Sequence, residues 1–249
     1  MTTALILAGT RPGGDPLAQA EGVAHKALLD VGGGPILQRV LEAVKAAKIS
    51  RIAVMADDPE VMRIATDFGA EILPPQPGPS ASVLSALDLL GAPLLVTTSD
   101  HALLQPEWLR QAIEDTPQHA DVGVMLAGRD AVEAALPGNR RTYLKLADGD
   151  WSGCNLFYLR TPAAREAILL WTRLEVDRKK PWRMVARIGP GMLLRYLFGK
   201  LGMAQAIRMI GSRIGIAAEL VPASDGLAAV DVDKPQDLEL VRALAERSR

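Results

Sequence analysis

The sequence predicts an α/β protein, a three-layer α/β/α arrangement around a mostly parallel sheet, with a basic helical insertion. Three observations carry that expectation. Short apolar runs without charge alternate with helical stretches, and the first of them, residues 5–8, has the composition of a strand buried on both faces. Gly9, Ser80 and Asp100 fall at the carboxyl ends of such runs, where open α/β sheets bind ligands. Residues 165–213 hold eleven basic residues and three acids, a net +8 in a chain of net charge −1. The expected organisation is one domain over 1–249, with the insertion at about 163–215.

In chain order, the strand at 5–8 stops at Gly9 and gives way to a loop containing Gly13 and Gly14. A helix follows from Pro35 to about residue 48, then a strand at 51–56, and a helix capped by Asp57-Asp58-Pro59 that runs to about 68. A third strand at 69–74 ends in a proline-rich loop, from which a helix spans 83–90 and a buried strand spans 93–98. Such a succession builds parallel strands through right-handed crossovers. The second half reads as strands at 120–127, 140–146 and 151–159, with a turn at 147–150. Trp171, Trp182 and Met192 to Phe198 then interleave with the cations of the insertion, broken by Gly189-Pro190-Gly191, as in two or three amphipathic helices.

Composition bounds the function classes. With 49% hydrophobic and 23% charged residues in 249, the chain can bury a sizeable core. No apolar run approaches the ~18 residues of a spanning helix, and no basic segment precedes the first short apolar run. The single cysteine, Cys154, has no partner for an internal disulfide, which fits a reducing compartment. The expected location is cytoplasmic, at most peripheral to the inner face of the membrane. The basic segment suits either an anionic acceptor or an anionic membrane surface, its bland alternative being a solvated cap; no nucleic-acid recognition motif accompanies the charge.

A glycine loop after a buried strand exposes backbone N–H groups to a polyphosphate. Arg11 and Lys26 add two cations, so Ala8, Gly9, Thr10, Gly13 and Gly14 together with them point to nucleotide phosphates. The spacing matches neither a dinucleotide fingerprint nor a P-loop. Asp100 ends a central strand as a hard oxygen donor suited to Mg²⁺. Ser80 and Ser82 precede a helix, which makes capping their default role. Arg140, Arg141 and Lys145 are candidates for an acceptor phosphate, or else solvated charges of an edge hairpin.

Leu5-x-Leu7-Ala8-Gly9 with its Arg and Gly loop, followed by Lys26-Ala27-Leu28-Leu29-x-Val31-Gly32-Gly33-x-Pro35-Ile36-Leu37, resembles the amino-terminal signature of the MobA-like nucleotidyltransferases, which have a GT-A type fold. The loop departs from the family pattern: Thr10 stands at the second glycine, Arg11 comes early, and Asp15-Pro16 lies where Arg-Met is usual. The resemblance implies a Mg²⁺-dependent enzyme that transfers an NMP from an NTP to a phosphorylated small-molecule acceptor and releases pyrophosphate. It implies catalytic roles for Arg11, Lys26 and Asp100, base contacts from Gly78 and Ser82 with Ser80 beside them, and an acceptor contact from Asn155. The stretch Asp231-x-Asp233-x-Pro235-x-Asp237-Leu238 resembles the family's carboxy-terminal motif, which makes Asp233, or Asp231 beside it, the partner of Asp100 at the metal. Two alternatives remain: a nucleotide-sugar glycosyltransferase of the same fold, against which Ala102 breaks Asp-x-Asp, and a non-catalytic nucleotide-binding or membrane-associated protein. Neither the base, the acceptor nor the oligomeric state is specified.

Overall fold

The computed structural model describes residues 1–10, 13–138, 141–177 and 189–247. Arg11, Arg140 and five cations of the insertion, Arg178, Lys179, Lys180, Arg183 and Arg187, lie outside the described residues. A mixed sheet of eight strands runs through the molecule in the order β3-β2-β1-β4-β7-β5-β8, with β6 hairpinned onto β7. The strands are β1 Thr3–Ala8, β2 Arg51–Ala56, β3 Glu71–Leu73, β4 Leu94–Thr98, β5 Val122–Gly128, β6 Leu144–Leu146, β7 Gly149–Leu159 and β8 Ala218–Pro222. β1, β2, β3 and β4 pair in parallel, as do β5 and β8, whereas β7 runs antiparallel to both β4 and β5.

The uncharged runs explain this layering. Along β1, Ala4, Ile6 and Ala8 face one core and Leu5 the other, so the strand is covered on both sides. On the first face pack α2 (Ile36–Ala46), α3 (Pro59–Asp67), α5 (Pro106–Glu114) and α10 (Pro235–Arg247), which contribute Val40, Val61, Leu109 and Val241. On the second pack α4 (Pro79–Leu90) and α7 (Arg165–Asp177), through Val83, Leu87 and Ile168. Two short helices escaped the sequence reading, α1 (Pro16–Ala20) and α6 (Arg129–Ala135). Neither is long enough to show a helical period, and Asp15 caps the first by accepting from the amides of Leu17 and Ala18.

Beyond α7 come α8 (Pro190–Leu197) and α9 (Met203–Arg213), which enclose a small core of Met192, Leu201 and Ala206 before the chain returns to the sheet at β8. Among the described residues, no helix is long and apolar enough to cross a membrane. Boundaries moved in a few places. The strand expected at 140–146 contracts to three residues, and the helix expected at 83–90 starts at Pro79, with Gly78 as its cap at φ +103.

Candidate functional site

Four segments distant in sequence meet at the carboxyl edge of β1 and β4. The chain leaves β1 at Gly9, where a side chain would crowd the Pro75 ring: an added Cβ would stand 3.0 Å from Pro75 Cβ. Thr10 is then fastened to the end of β2. Its amide and hydroxyl both donate to Asp57 Oδ1, at 3.0 and 2.7 Å. Burial would raise the Asp57 carboxyl pKa, but the two Thr10 hydrogen bonds prevail and lower it. Thr10, at the position of the family's second glycine, therefore anchors the loop. Gly13 and Gly14 follow at φ +87 and +80, a conformation in which glycine carries no Cβ penalty. Asp15, at the usual Arg position, caps a helix instead.

Lys26 is the centre of the site. His25 Nδ1 accepts from the Ala27 amide and so opens the 3₁₀ turn that holds Lys26, whose side chain is only 8% exposed. Its ammonium reaches Asp100 Oδ2 at 2.8 Å and Asp233 Oδ1 at 2.5 Å. Burial alone would lower the Lys26 pKa; the charges and hydrogen bonds of Asp100 and Asp233 outweigh it and raise the value. The backbone fixes this convergence. The Ser99 amide donates to the Leu7 carbonyl, the Val232 amide donates to the Asp100 carbonyl, and Arg39 Nε holds the Ala102 carbonyl. Asp237 accepts from the amides of Asp233 and Lys234, in the first turn of α10, where an acidic group favours the helix dipole.

Asp231 stands two residues before Asp233, with a different set of partners. It accepts from Arg141 Nη2 at 2.6 Å and Asn155 Nδ2 at 3.0 Å. Burial, followed by the neighbouring charges of Asp100 and Asp233, pushes its pKa up against the opposing pull of Arg141. Asn155 gets there by a bulge. Opposite β5 the register jumps from Leu156 at Met125 to Gly153 at Leu126, leaving Cys154 and Asn155 in the gap, with Asn155 at φ +51. Such a bulge re-aims a side chain, and because β7 runs antiparallel to β4 with Val96 opposite Phe157, Asn155 lies two residues beyond that last pair, toward the carboxyl end of β4.

Several expected site residues take other roles. Gly78, not a serine hydroxyl, caps α4, so the capping role expected of Ser80 and Ser82 is corrected. Ser82 Oγ accepts from the Gln76 amide at 2.9 Å, closing the proline-rich loop. Ser80 Oγ donates to Glu175 Oε2 at 2.5 Å, a contact from α7 that spans 95 positions and had no local signal in the sequence. Lys145 is exposed on the β6–β7 hairpin, paired in register with Asp150, and takes no part in the Asp231 contacts. Cys154 is buried, and burial pushes its thiol up to about 12. The unfolded chain would thus ionise first as pH rises from about 9, so stability should drain toward pH 12 by up to about 1.4 kcal/mol per pH unit. Alkaline unfolding of Cys154→Ala should show a shallower loss than the parent.

The donor set can be tested for a metal. Asp100 Oδ1 is buried and has no hydrogen-bond partner among the described residues, while Oδ2 is taken by Lys26. Asp233 is more open, its side chain 48% exposed. Among the described residues, no three carboxylate, imidazole or thiolate groups form a ready-made cage. Two carboxylates that leave the remaining positions to phosphate oxygens and water suit Mg²⁺, which is seldom held by all-protein cages. The residues fit such an ion, with the Lys26 ammonium meanwhile neutralising the pair.

A mostly parallel sheet edged by a glycine loop, a buried lysine and convergent carboxylates is the architecture of a nucleotidyltransferase. The MobA-like NTP transferase domain matches residues 4–170, and the chain belongs to that family. Curated relatives include 3-deoxy-manno-octulosonate cytidylyltransferases from Rhodopseudomonas palustris (strain ATCC BAA-98 / CGA009), 29% identical over 123 residues, and Nitrobacter hamburgensis (strain DSM 10229 / NCIMB 13809 / X14), 30% identical over 123. Each match covers 46% of this chain and, respectively, 50% and 48% of the relative, so the chain spans about half the length of these proteins. Among solved structures, a hypothetical transferase from Thermus thermophilus superposes with a TM-score of 0.82 at 30% identity, covering 95% of this chain and 99% of that one. A CMP:2-keto-3-deoxy-manno-octonic acid synthetase complexed with CTP shares the fold, with a TM-score of 0.60 at 19% identity and coverage of 100% and 99%.

Proposed function

We propose that this nucleotidyltransferase transfers CMP from CTP to a small acceptor bearing a phosphate or similar oxyanion, with Mg²⁺ bound between Asp100 and Asp233. The observation that carries the reading is Lys26 clasped by Asp100 and Asp233 beside the glycine loop: a cation and two acids drawn from positions 26, 100 and 233. An acceptor oxygen attacks the α-phosphorus, the bond from that phosphorus to the α–β bridging oxygen breaks, and pyrophosphate leaves with the electron pair. An ionised phosphate or carboxylate needs no general base, so the chain's contribution is positioning and charge neutralisation. The amides of residues 9, 13 and 14 receive the β- and γ-phosphates, aided by Arg11, while the Thr10 amide stays on Asp57. Lys26, released from its carboxylates, moves to the α-phosphate. Mg²⁺, when bound, would neutralise phosphate charge and hold the triphosphate in line.

On the acceptor side, Asp231 holds Arg141 and Asn155 in place. Arg141 Nη1 and the Tyr143 hydroxyl are buried without a hydrogen-bond partner among the described residues, and an unmet guanidinium donor suits a phosphate or carboxylate oxygen. Lys145 is a less favoured acceptor contact on this reading, because its hairpin position is exposed. On the nucleotide side, Gly78, Ser80 and Ser82 form the base loop. Glu175 lies against it, and a carboxylate there accepts from the exocyclic amine of cytosine but opposes the carbonyl that replaces it in uracil.

Pyrophosphate release measured with each of the four NTPs, across a panel of phosphorylated and carboxylated acceptors with Mg²⁺, tests this reading. CTP should be preferred over UTP by at least about tenfold, roughly 1.4 kcal/mol. Glu175→Gln, which offers the uracil carbonyl a donor, should narrow that ratio while leaving the metal site untouched. Equal use of UTP by the parent enzyme would remove Glu175 from base selection, and activity only with nucleotide sugars would overturn the transfer reaction itself.

A further inference from the structure

Among the described residues, exposed large apolar side chains cluster on the outer face of α8. Leu194, Leu197 and Phe198 follow the i, i+3, i+4 spacing that puts side chains on one helix face, and they are 52%, 67% and 72% exposed. Tyr196, 50% exposed, flanks them. The opposite side of the helix is already satisfied, since Met192 is buried against Leu201 and Ala206. The helix therefore has two apolar stripes, and only one of them is used by the fold. Cations frame the unused one: Arg195 and Lys200 are exposed beside it, and Arg208 and Arg213 line a cavity of about 500 Å³ between α8 and α9. Arg208 is held by Glu219, while Arg213 stands exposed at the rim.

We propose that this face docks on an anionic phospholipid bilayer. Leu194, Leu197 and Phe198 enter the headgroup boundary, Tyr196 sits at its level, and Arg195, Lys200 and Arg213 meet the headgroup phosphates. Bulky apolar groups interleaved with Arg and Lys on a helix lying in the plane of the interface are the pattern that binds such surfaces. Charge selects this occupant over a second copy of the chain. Residues 189–213 carry four cations, Arg195, Lys200, Arg208 and Arg213, and no acid, so two copies meeting through this face repel. An anionic bilayer instead attracts this side and turns the acidic bulk of the molecule away from itself.

Co-sedimentation of the whole protein with large vesicles tests the proposal, comparing pure phosphatidylcholine with a phosphatidylcholine and phosphatidylglycerol mixture at low and at high salt. Binding to the anionic vesicles should be at least about tenfold tighter than to neutral ones and should fall as salt is raised, because exposed charges are screened. The double substitution Leu197→Ser with Phe198→Ser should weaken it about tenfold. Arg195→Glu with Lys200→Glu, which leaves the apolar groups in place, should abolish the preference for anionic lipid. Both variants should keep the parent's melting temperature and CTP binding. Equal binding to both vesicles, no binding to either, or a concentration-dependent dimer that the Leu197 and Phe198 substitutions dissociate would overturn it, the last by assigning the face to a second copy.

Discussion

Asp100→Asn should lower kcat/KM for pyrophosphate release by about 10³-fold while leaving the fold intact, a loss of the size produced by removing a preorganised electrostatic contact. The amide is nearly isosteric and still offers Lys26 an acceptor in place of Oδ2, which lies 2.8 Å from the ammonium. Asp233, at 2.5 Å, keeps that ammonium paired with a charge. The melting temperature should therefore stay within a few degrees of the parent. What disappears is the charge at Oδ1, the buried oxygen that no side chain or backbone group among the described residues satisfies. Steady-state pyrophosphate release, with thermal unfolding as the control, checks both halves. A variant that unfolds easily but turns over normally would make Asp100 a structural residue.

Lys26→Met should cost both activity and stability. Methionine keeps the apolar stem but removes the ammonium between two carboxylates, leaving Asp100, with a side chain 16% exposed, beside Asp233 and near Asp231. Breaking a buried pair by deleting one partner costs about 3–5 kcal/mol, and the half-open Asp233 places this case toward the lower end. Turnover should fall about 10²–10³-fold through loss of a charge at the transferring phosphate. The distinguishing result is the response to Mg²⁺. A divalent cation binding the vacated carboxylates should raise the melting temperature of Lys26→Met more than that of the parent, in which the ammonium competes. If Mg²⁺ leaves the variant's unfolding unchanged, the carboxylate pair is not a metal site.

Much of the frame was legible because its signals are local. Short apolar runs gave β1, β2 and β4 to within two residues at each end, and Asp58 capped α3 as read. Lys26, Asp100 and Asp233 were picked out by their motifs, and their meeting follows from strand ends sharing one edge of a sheet. What escaped was non-local. That β7 runs antiparallel between β4 and β5 depends on pairing partners rather than composition, and the bulge that turns Asn155 toward Asp231 appears only when β7 is laid against β5. Glu175 comes from a helix in the basic segment, so neither spacing nor motif connects it to Ser80. Thr10 read as a defect in a glycine loop. Its bond to Asp57 makes it an anchor, visible only once β1 and β2 lie side by side.

Crystals of the protein grown with Mn²⁺ and a CTP analogue that resists transfer test the central claim most directly, through the anomalous signal of the ion. The account predicts a peak within coordination distance of Asp100 and Asp233, with Lys26 withdrawn from both carboxylates and turned to the phosphates. A bound nucleotide with Lys26 still clasped between the two acids, and the ion elsewhere, would contradict it.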